Sequence, residues 1–124
     1  LDPAKWGGVI ALGIDESLSG RAITLEVKAH NRTVHIPDIT GAYPPDHGYI
    51  IPGGPEAICS PAAAQAAHLF PVSTDPGGYL CGWLYYLLLY HLEELPVVLL
   101  HIPPEEDIET VFHAIIQVLD LLFS

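Results

Sequence analysis

The run Val97–Ile102, VVLLHI, constrains the fold more than any other part of this 124-residue sequence. It carries no carboxylate, lysine or arginine, and the following Pro103-Pro104 pair ends it, which is typical of a core strand. A second apolar run, Trp6–Ile14, is interrupted only by glycines and predicts a strand buried on both faces of a parallel sheet. Half of all residues are hydrophobic, so we expect most of the chain to be buried in one domain, residues 1–124.

Strand and helix patterns alternate along the rest of the chain. Arg21–His30 alternates apolar and polar residues, which predicts one half-covered strand with Glu26 on the side away from the apolar face. Ile36–Pro61 is rich in proline and glycine and predicts a long excursion of turns. Ser60-Pro61 predicts the cap and first position of a short helix, and Phe70–Thr74 a brief strand.

Two longer helices are predicted in the C-terminal half. Trp83–Tyr90 is the longest apolar run, which predicts a buried helix, and a terminal helix follows from Glu105, with acidic residues at its start. The period of its polar residues assigns seven side chains to the core: Val111, Phe112, Ile115, Ile116, Leu119, Leu122 and Phe123. Strands that alternate with helices indicate an α/β layer fold with a largely parallel sheet.

The charge distribution excludes two classes of partner. The net charge is −11, and the only basic residues are Lys5, Arg21, Lys28 and Arg32. Nucleic acid and anionic membranes both require clustered lysine and arginine, so we expect neither. The longest apolar run is far below the roughly 20 residues of a bilayer span. The first residues show no secretory signal pattern, so we expect an intracellular protein.

Three residues stand where α/β folds place their chemistry, after strands or at helix starts. Cys81 follows the turn DPGG and precedes the apolar helix, so its sulfur would lie at a helix N-terminus, where the dipole favours thiolate. His101 closes the core strand, and Glu26 projects from another strand. A thiol, an imidazole and a carboxylate are the nucleophile, the base and the orienting acid of thiol acyl transfer.

Each of these residues also has a structural interpretation. Cys81 could be a small core residue, His101 a hydrogen-bonded structural histidine, and Glu26 a solvated side chain. Cys81 could also form a disulfide with Cys59 or belong to a zinc site. The sequence contains no C-x-x-C, H-E-x-x-H or H-x-H pairing, so we expect no metal. Spacing alone does not decide between a catalytic role, a structural role and a disulfide.

Four segments in succession resemble a known family, and the match as a whole runs from about Trp6 to the end of the chain. They are GRAITLEVKAHN, HIPD with its proline- and glycine-rich continuation, GGYLCGWLYYLLLYHL, and VLLHIPP. In this order they resemble the signatures of the pyroglutamyl peptidases, also called pyrrolidone-carboxylate peptidases, a family of cysteine exopeptidases. The most specific parts are Y-L-C before a Tyr-Tyr helix and H-I-P-P after it.

The resemblance implies Cys81 as nucleophile, His101 as general base and acid, and Glu26 as the third member of a triad. The implied fold is a three-layer α/β/α sandwich around a twisted, largely parallel sheet. The implied reaction is hydrolysis of the amide that follows an N-terminal pyroglutamate in a peptide. The family uses no metal or organic cofactor, is cytoplasmic and is often a homo-oligomer, a tetramer.

The resemblance also implies residues that bind substrate. The backbone N–H of Cys81 would help to hold the oxyanion, together with His35, which stands where the family usually has arginine. The lactam ring would lie in a slot formed by Gly13, Ile14, Tyr79 and Leu80.

Family members usually begin with a strand and a segment rich in glycine and phenylalanine. No counterpart precedes Leu1, so we expect about the first third of the family's length to be missing. A second hypothesis is therefore a catalytically silent, truncated relative that acts as a binding or oligomerisation module.

Overall fold

A four-stranded mixed sheet lies at the centre of the computed structural model, which describes residues 7–33, 40–42, 48–77 and 80–123. Its strands lie side by side in the order β1 (Val9–Ile14), β6 (Val97–Ile102), β2 (Thr24–Glu26) and β5 (Val72–Ser73). The pairs β1–β6 and β2–β5 are parallel, whereas β2 runs antiparallel to β6. Every residue of β6 is buried, as its apolar sequence predicts.

Helices cover both faces of this sheet. One face packs against α1 (Pro61–Ala66) and α3 (Ile108–Phe123), and the other against α2 (Leu80–His91). Alternate residues of β6 supply the two cores, because successive side chains of a strand point to opposite faces. Val98, Leu100 and Ile102 contribute to the first core, and Val97 and Leu99 to the second. The predicted α/β fold, a largely parallel sheet between helical layers, is thereby confirmed.

The segment Arg21–His30 does not form the single half-covered strand that its alternation predicts. It forms β2 and then β3 (Lys28–His30), and β3 pairs with β4 (Ala57–Cys59) in a separate two-stranded antiparallel sheet. Val27 is the junction: its N–H donates to the Ser73 carbonyl at 2.9 Å, and its carbonyl accepts from the Ser60 N–H at 3.0 Å. The two backbone groups of one residue therefore bond to different parts of the fold.

The proline- and glycine-rich segment is partly described, and it contains β4, which the sequence did not predict. A buried side chain, Asn31, holds its turn at Ile50 and Ile51. The Asn31 side-chain oxygen accepts from both backbone N–H groups, at 2.8 and 2.9 Å, and its amide donates to the Ile51 carbonyl at 2.7 Å. Tyr86 of α2 donates to the Pro55 carbonyl at 2.6 Å, so the segment is bonded to the helix that it covers.

The start of α1 agrees with its sequence prediction. Ser60 is the N-cap and its Oγ accepts from the Ala63 N–H at 3.0 Å, while Pro61 occupies the first helical turn. The same hydroxyl donates to the Val97 carbonyl at 2.5 Å, at the first residue of the core strand. Since Ser60 is buried, this one side chain joins the helix directly to the sheet.

The face of α3 that packs on the sheet differs from the predicted one. Ala114 and Val118 are buried, and Val111 and Leu122 pack beside them. Phe112, which the prediction assigned to the core, is 61% exposed. The prediction was wrong for it and for three other exposed side chains: Ile116, Leu119 and Phe123. The buried face of α3 thus contains the small Ala114, which a count of large apolar residues does not reveal.

The apolar α2 also presents one side to solvent. Tyr85, Tyr86 and Leu89 are buried, whereas Leu84 and Tyr90 are exposed. Within the part of the chain that the structure describes, no helix combines the length and apolarity that crossing a membrane requires.

Replacing Ser60 with alanine removes both the helix cap and the hydrogen bond to the Val97 carbonyl. We expect Ser60→Ala to lower the free energy of unfolding by about 1–2 kcal/mol, measured by urea denaturation. Ser19→Ala, at an exposed serine, is the control and should change it by less than about 0.5 kcal/mol. Equal effects of the two substitutions would contradict this role of Ser60.

Candidate active site

A buried histidine–carboxylate pair lies at the edge of the sheet. His101 Nδ1 and Glu26 Oε2 are 2.7 Å apart, and both side chains are almost fully buried. A carboxylate can only accept, so the ring donates its Nδ1–H to Glu26, and a neutral ring then has its lone pair on Nε2. The pair therefore orients the imidazole with its basic nitrogen turned away from Glu26.

Glu26 does not lie on the solvated strand face that the alternating sequence predicts. It is only 3% exposed, because α2 covers this face of β2. Glu26 pairs in register with Leu99 of the antiparallel β6, and its carboxylate reaches His101 two residues along that strand. Its second oxygen, Oε1, is buried and has no hydrogen-bond partner among the described residues.

Cys81 and His101 meet above Gly13. Gly13 lies beside His101 in the register of β1 and β6. A Cβ atom on Gly13 would lie 2.5 Å from Cys81 Sγ and 3.4 Å from His101 Nε2, so the sulfur and the basic nitrogen both lie within 3.4 Å of one point. Any residue other than glycine would fill the space in which the thiol and the imidazole approach each other.

Cys81 is the second residue of α2, which agrees with the predicted position at a helix start. Its backbone N–H has no acceptor within the helix, since the first four N–H groups of a helix lack one. The turn before the helix packs closely, because a side chain on Gly82 would collide with the carbonyl of Gly77. The thiol and a backbone donor are thus presented together.

The ionisation of Cys81 differs from the sequence prediction, in which the helix dipole favours the thiolate. Burial raises the pKa of the Cys81 thiol, and the negative charge of Asp15 raises it further. Both effects favour the neutral form over the thiolate. The sulfur is therefore protonated at neutral pH, and a base must remove the proton.

A tyrosine of α2 bonds the helix that carries Cys81 to the strand that carries Glu26. Tyr85 lies one turn after Cys81 and is fully buried, and its hydroxyl donates to the backbone carbonyl of Glu26 at 2.7 Å. Burial raises the pKa of Tyr85, so the hydroxyl remains a donor at neutral and moderately alkaline pH. The relative position of Cys81 and Glu26 is fixed through this bond.

The structure brings together only some of the predicted substrate-binding residues. Gly13 lies at the site, but the neighbouring Ile14 is 62% exposed and lines a groove with Leu12 and Ile108. Adjacent residues of a strand face opposite sides, so the Ile14 side chain lies on the other face from that of Gly13, and its predicted contact with substrate stays a prediction. Leu80 directly precedes Cys81 and is exposed. Tyr79 and His35 lie outside the described residues, so their predicted contacts stay predictions.

One residue near the site was not among the candidates. Asp15 follows β1, and its carboxylate is close enough to interact electrostatically with both Cys81 and His101. The sequence contains the signal, since Asp15 stands directly after a core strand and two residues after Gly13. Because the whole chain is rich in acidic residues, Asp15 did not stand out as a candidate.

The sequence left both a disulfide and a metal site open for Cys81. Cys59 is exposed, and both cysteines are free thiols, so no disulfide joins them. Across the described ranges, no three histidine, cysteine or acidic side chains are grouped so that they could hold a metal ion. The site unites a thiol, an imidazole and a buried carboxylate, the groups used in acyl transfer through a thioester.

Comparison with known proteins identifies relatives with this architecture. The "Pyroglutamyl-peptidase 1-like protein" of Homo sapiens is 30% identical in an alignment 105 residues long that covers 77% of this chain and 51% of the relative. The chain therefore spans about half the length of this curated relative. No protein-family model matches the chain.

Solved structures agree with this comparison. The pyrrolidone carboxyl peptidase of Thermus thermophilus is 31% identical and superposes with a TM-score of 0.76, over 94% of this chain and 70% of that protein. The pyrrolidone carboxyl peptidase of Thermococcus litoralis has a TM-score of 0.78 at 22% identity, over 95% of this chain and 66% of that protein. The second likeness shows the shared fold.

Gly13→Ala tests the close approach of the thiol and the imidazole. The new methyl group has no space beside Cys81, so we expect the free energy of unfolding to fall by about 1–3 kcal/mol, despite the small gain that alanine normally brings to a strand. Urea denaturation measures the change. Gly7→Ala is the matched control, because its methyl would make only an ordinary contact with Phe123, at 3.7 Å. A harmless Gly13→Ala would mean that the three residues do not pack as described.

Tyr85→Phe tests the bond between α2 and β2. The substitution removes a hydrogen bond from a buried carbonyl, and we expect a loss of about 1–3 kcal/mol in the free energy of unfolding. Tyr90→Phe, on the exposed side of the same helix, should change it by less than about 0.5 kcal/mol. If both variants unfold at the same urea concentration as the parent, the hydroxyl of Tyr85 does not join the two elements.

Proposed function

This chain belongs to the pyrrolidone carboxyl peptidase, or pyroglutamyl peptidase, family, and we propose that it hydrolyses the amide bond after an N-terminal pyroglutamate. The observation that carries the proposal is the meeting of Cys81 Sγ and the His101 ring above Gly13, with His101 bonded to the buried Glu26. Glycine at position 13 leaves room for both the sulfur and the imidazole, since a Cβ atom there would lie 2.5 Å from Cys81 Sγ and 3.4 Å from His101 Nε2.

In the proposed reaction His101 acts first as a base. Its Nε2 removes the proton of Cys81, which is needed because the thiol is not ionised beforehand. The sulfur attacks the carbonyl carbon of the pyroglutamyl group and forms a tetrahedral intermediate with a negatively charged oxygen. The backbone N–H of Cys81 donates to that oxygen, and such a donor contributes on the order of 10²-fold in rate.

His101 then acts as an acid. The carbon–nitrogen bond breaks, the departing nitrogen takes the proton from Nε2, and the shortened peptide leaves while a thioester remains on Cys81. His101 Nε2 then removes a proton from a water molecule, and this water attacks the thioester. This step releases pyroglutamate and returns the proton to the sulfur. Glu26 retains the Nδ1–H in both halves and stabilises the imidazolium.

The pyroglutamyl group is small, and we place it beside Gly13 and Leu80. Gly13 allows close approach to the backbone of β1, and Leu80 offers an apolar, 71% exposed side chain next to the nucleophile. Tyr79 and His35 remain proposed contacts to the lactam ring and to the oxyanion. Neither a metal nor an organic cofactor takes part in the proposed steps.

Release of aminomethylcoumarin from pyroglutamyl-aminomethylcoumarin tests the function. We expect Cys81→Ala to reduce the rate to that of the uncatalysed reaction, because the nucleophile is lost. Glu26→Gln should reduce kcat by about 100-fold or more, because an amide can hold the wrong tautomer of His101. Cys59→Ser is the matched control at an exposed thiol and should retain the parent rate within about twofold.

Two outcomes would overturn the proposal. Hydrolysis by the parent that equals hydrolysis by Cys81→Ala would exclude the peptidase activity. Hydrolysis that survives in Cys81→Ala but is lost in Cys59→Ser would assign the chemistry to the other cysteine.

A further inference from the structure

The space above the candidate nucleophile borders on a fixed negative charge. Asp15 is the first residue after β1, and its N–H donates to the Ile102 carbonyl at 2.9 Å, directly beside His101 in the chain. Because side chains alternate along a strand, Asp15 continues the face of Gly13, the face that meets Cys81. The backbone thus places this carboxylate at the rim of the site.

The carboxylate is held in place by local bonds. Asp15 caps a single 3-10 turn, Glu16–Leu18, and its Oδ1 accepts from the Ser17 N–H at 2.9 Å and from the Ser17 hydroxyl at 2.7 Å. These bonds lower the pKa of Asp15, and His101 lowers it further, so the group is ionised at neutral pH. Neither Ser17 group carries a charge, so the negative charge is not neutralised by its partners.

Basic residues do not compensate this charge within the ranges that the structure describes. Among the described residues, Arg21, Lys28 and Arg32 form no ion pair with Asp15. An ionised carboxylate at the rim of a partly buried space acts on every charged molecule that enters it.

We propose that Asp15 makes the approach to Cys81 selective for positively charged molecules. The consequence for peptides rests on the proposed function: substrates with a basic residue after the pyroglutamate are favoured, and those with an acidic residue there are disfavoured. His101 must stand beside the departing nitrogen to protonate it, and Asp15 interacts electrostatically with His101, so we place the residue attached to that nitrogen on the side that Asp15 borders.

Charged thiol reagents test this selectivity without requiring hydrolysis. In a Cys59→Ser background, Cys81 is the single thiol. It forms a mixed disulfide with a methanethiosulfonate and releases methanesulfinate. The rates are measured with a trimethylammonium-ethyl and a sulfonato-ethyl reagent of similar size. Their ratio is the readout, because a change in the thiolate fraction of Cys81 affects both reagents equally.

We expect Asp15→Asn to lower the ratio of cationic to anionic rates by on the order of three- to tenfold at low salt, and by less at about 0.5 M salt. Asparagine can still accept from Ser17, so the turn is retained. Glu16→Gln is the matched control, because it removes the charge of the next, exposed residue and should leave the ratio unchanged.

Peptide substrates extend the test to the reaction. The ratio of kcat/KM for pyroglutamyl-lysyl and pyroglutamyl-glutamyl amides should fall by a similar factor in Asp15→Asn. A reagent ratio that does not respond to Asp15→Asn, or that responds equally to Glu16→Gln, overturns the proposed role of Asp15. Absence of hydrolysis together with the expected shift in the reagent ratio overturns the proposed function alone and supports the charge selectivity.

Discussion

The hydrogen bond between His101 and Glu26 determines how the rest of the site is arranged. A carboxylate that is 3% exposed is stable only with a partner, and the imidazole is that partner at 2.7 Å. The bond requires β2 to lie beside β6, and on the other side of β6 the pairing with β1 places Gly13 beside His101. The strand order is therefore needed both for this hydrogen bond and for the hydrophobic core.

The thiol of Cys81 is positioned against this pair by the helix that carries it. Cys81 lies at the start of α2, and the hydroxyl of Tyr85 binds that helix to the carbonyl of Glu26. Gly13 has no side chain, which leaves the space in which the sulfur approaches the imidazole ring. The hydrogen bond of Tyr85 fixes the helix that carries Cys81, and the absent side chain of Gly13 leaves room for the sulfur. These two features define the position of the thiol without requiring a hydrogen bond to the thiol itself.

Local patterns predicted the elements well where one interaction dominates. The uncharged run of β6, the Ser60-Pro61 start of α1 and the helix start at Cys81 all follow from neighbouring residues. Long-range contacts decided the rest. The alternation of Arg21–His30 continues through Val27, yet bonds to residues far along the chain split it there. Glu26 is buried because α2 covers it, and the sequence pattern of its own strand does not indicate this burial.

The order of the site residues along the chain has a consequence for folding kinetics. Glu26 and His101 are 75 residues apart, and Cys81 lies between them. Closing such a long loop is entropically unfavourable, and contacts at this separation form late in the folding of a domain. Neither an isolated helix nor an early hairpin would contain the thiol and its base together. The chain therefore brings Glu26, Cys81 and His101 together only as the sheet is completed, and a newly made, partly folded molecule lacks this arrangement.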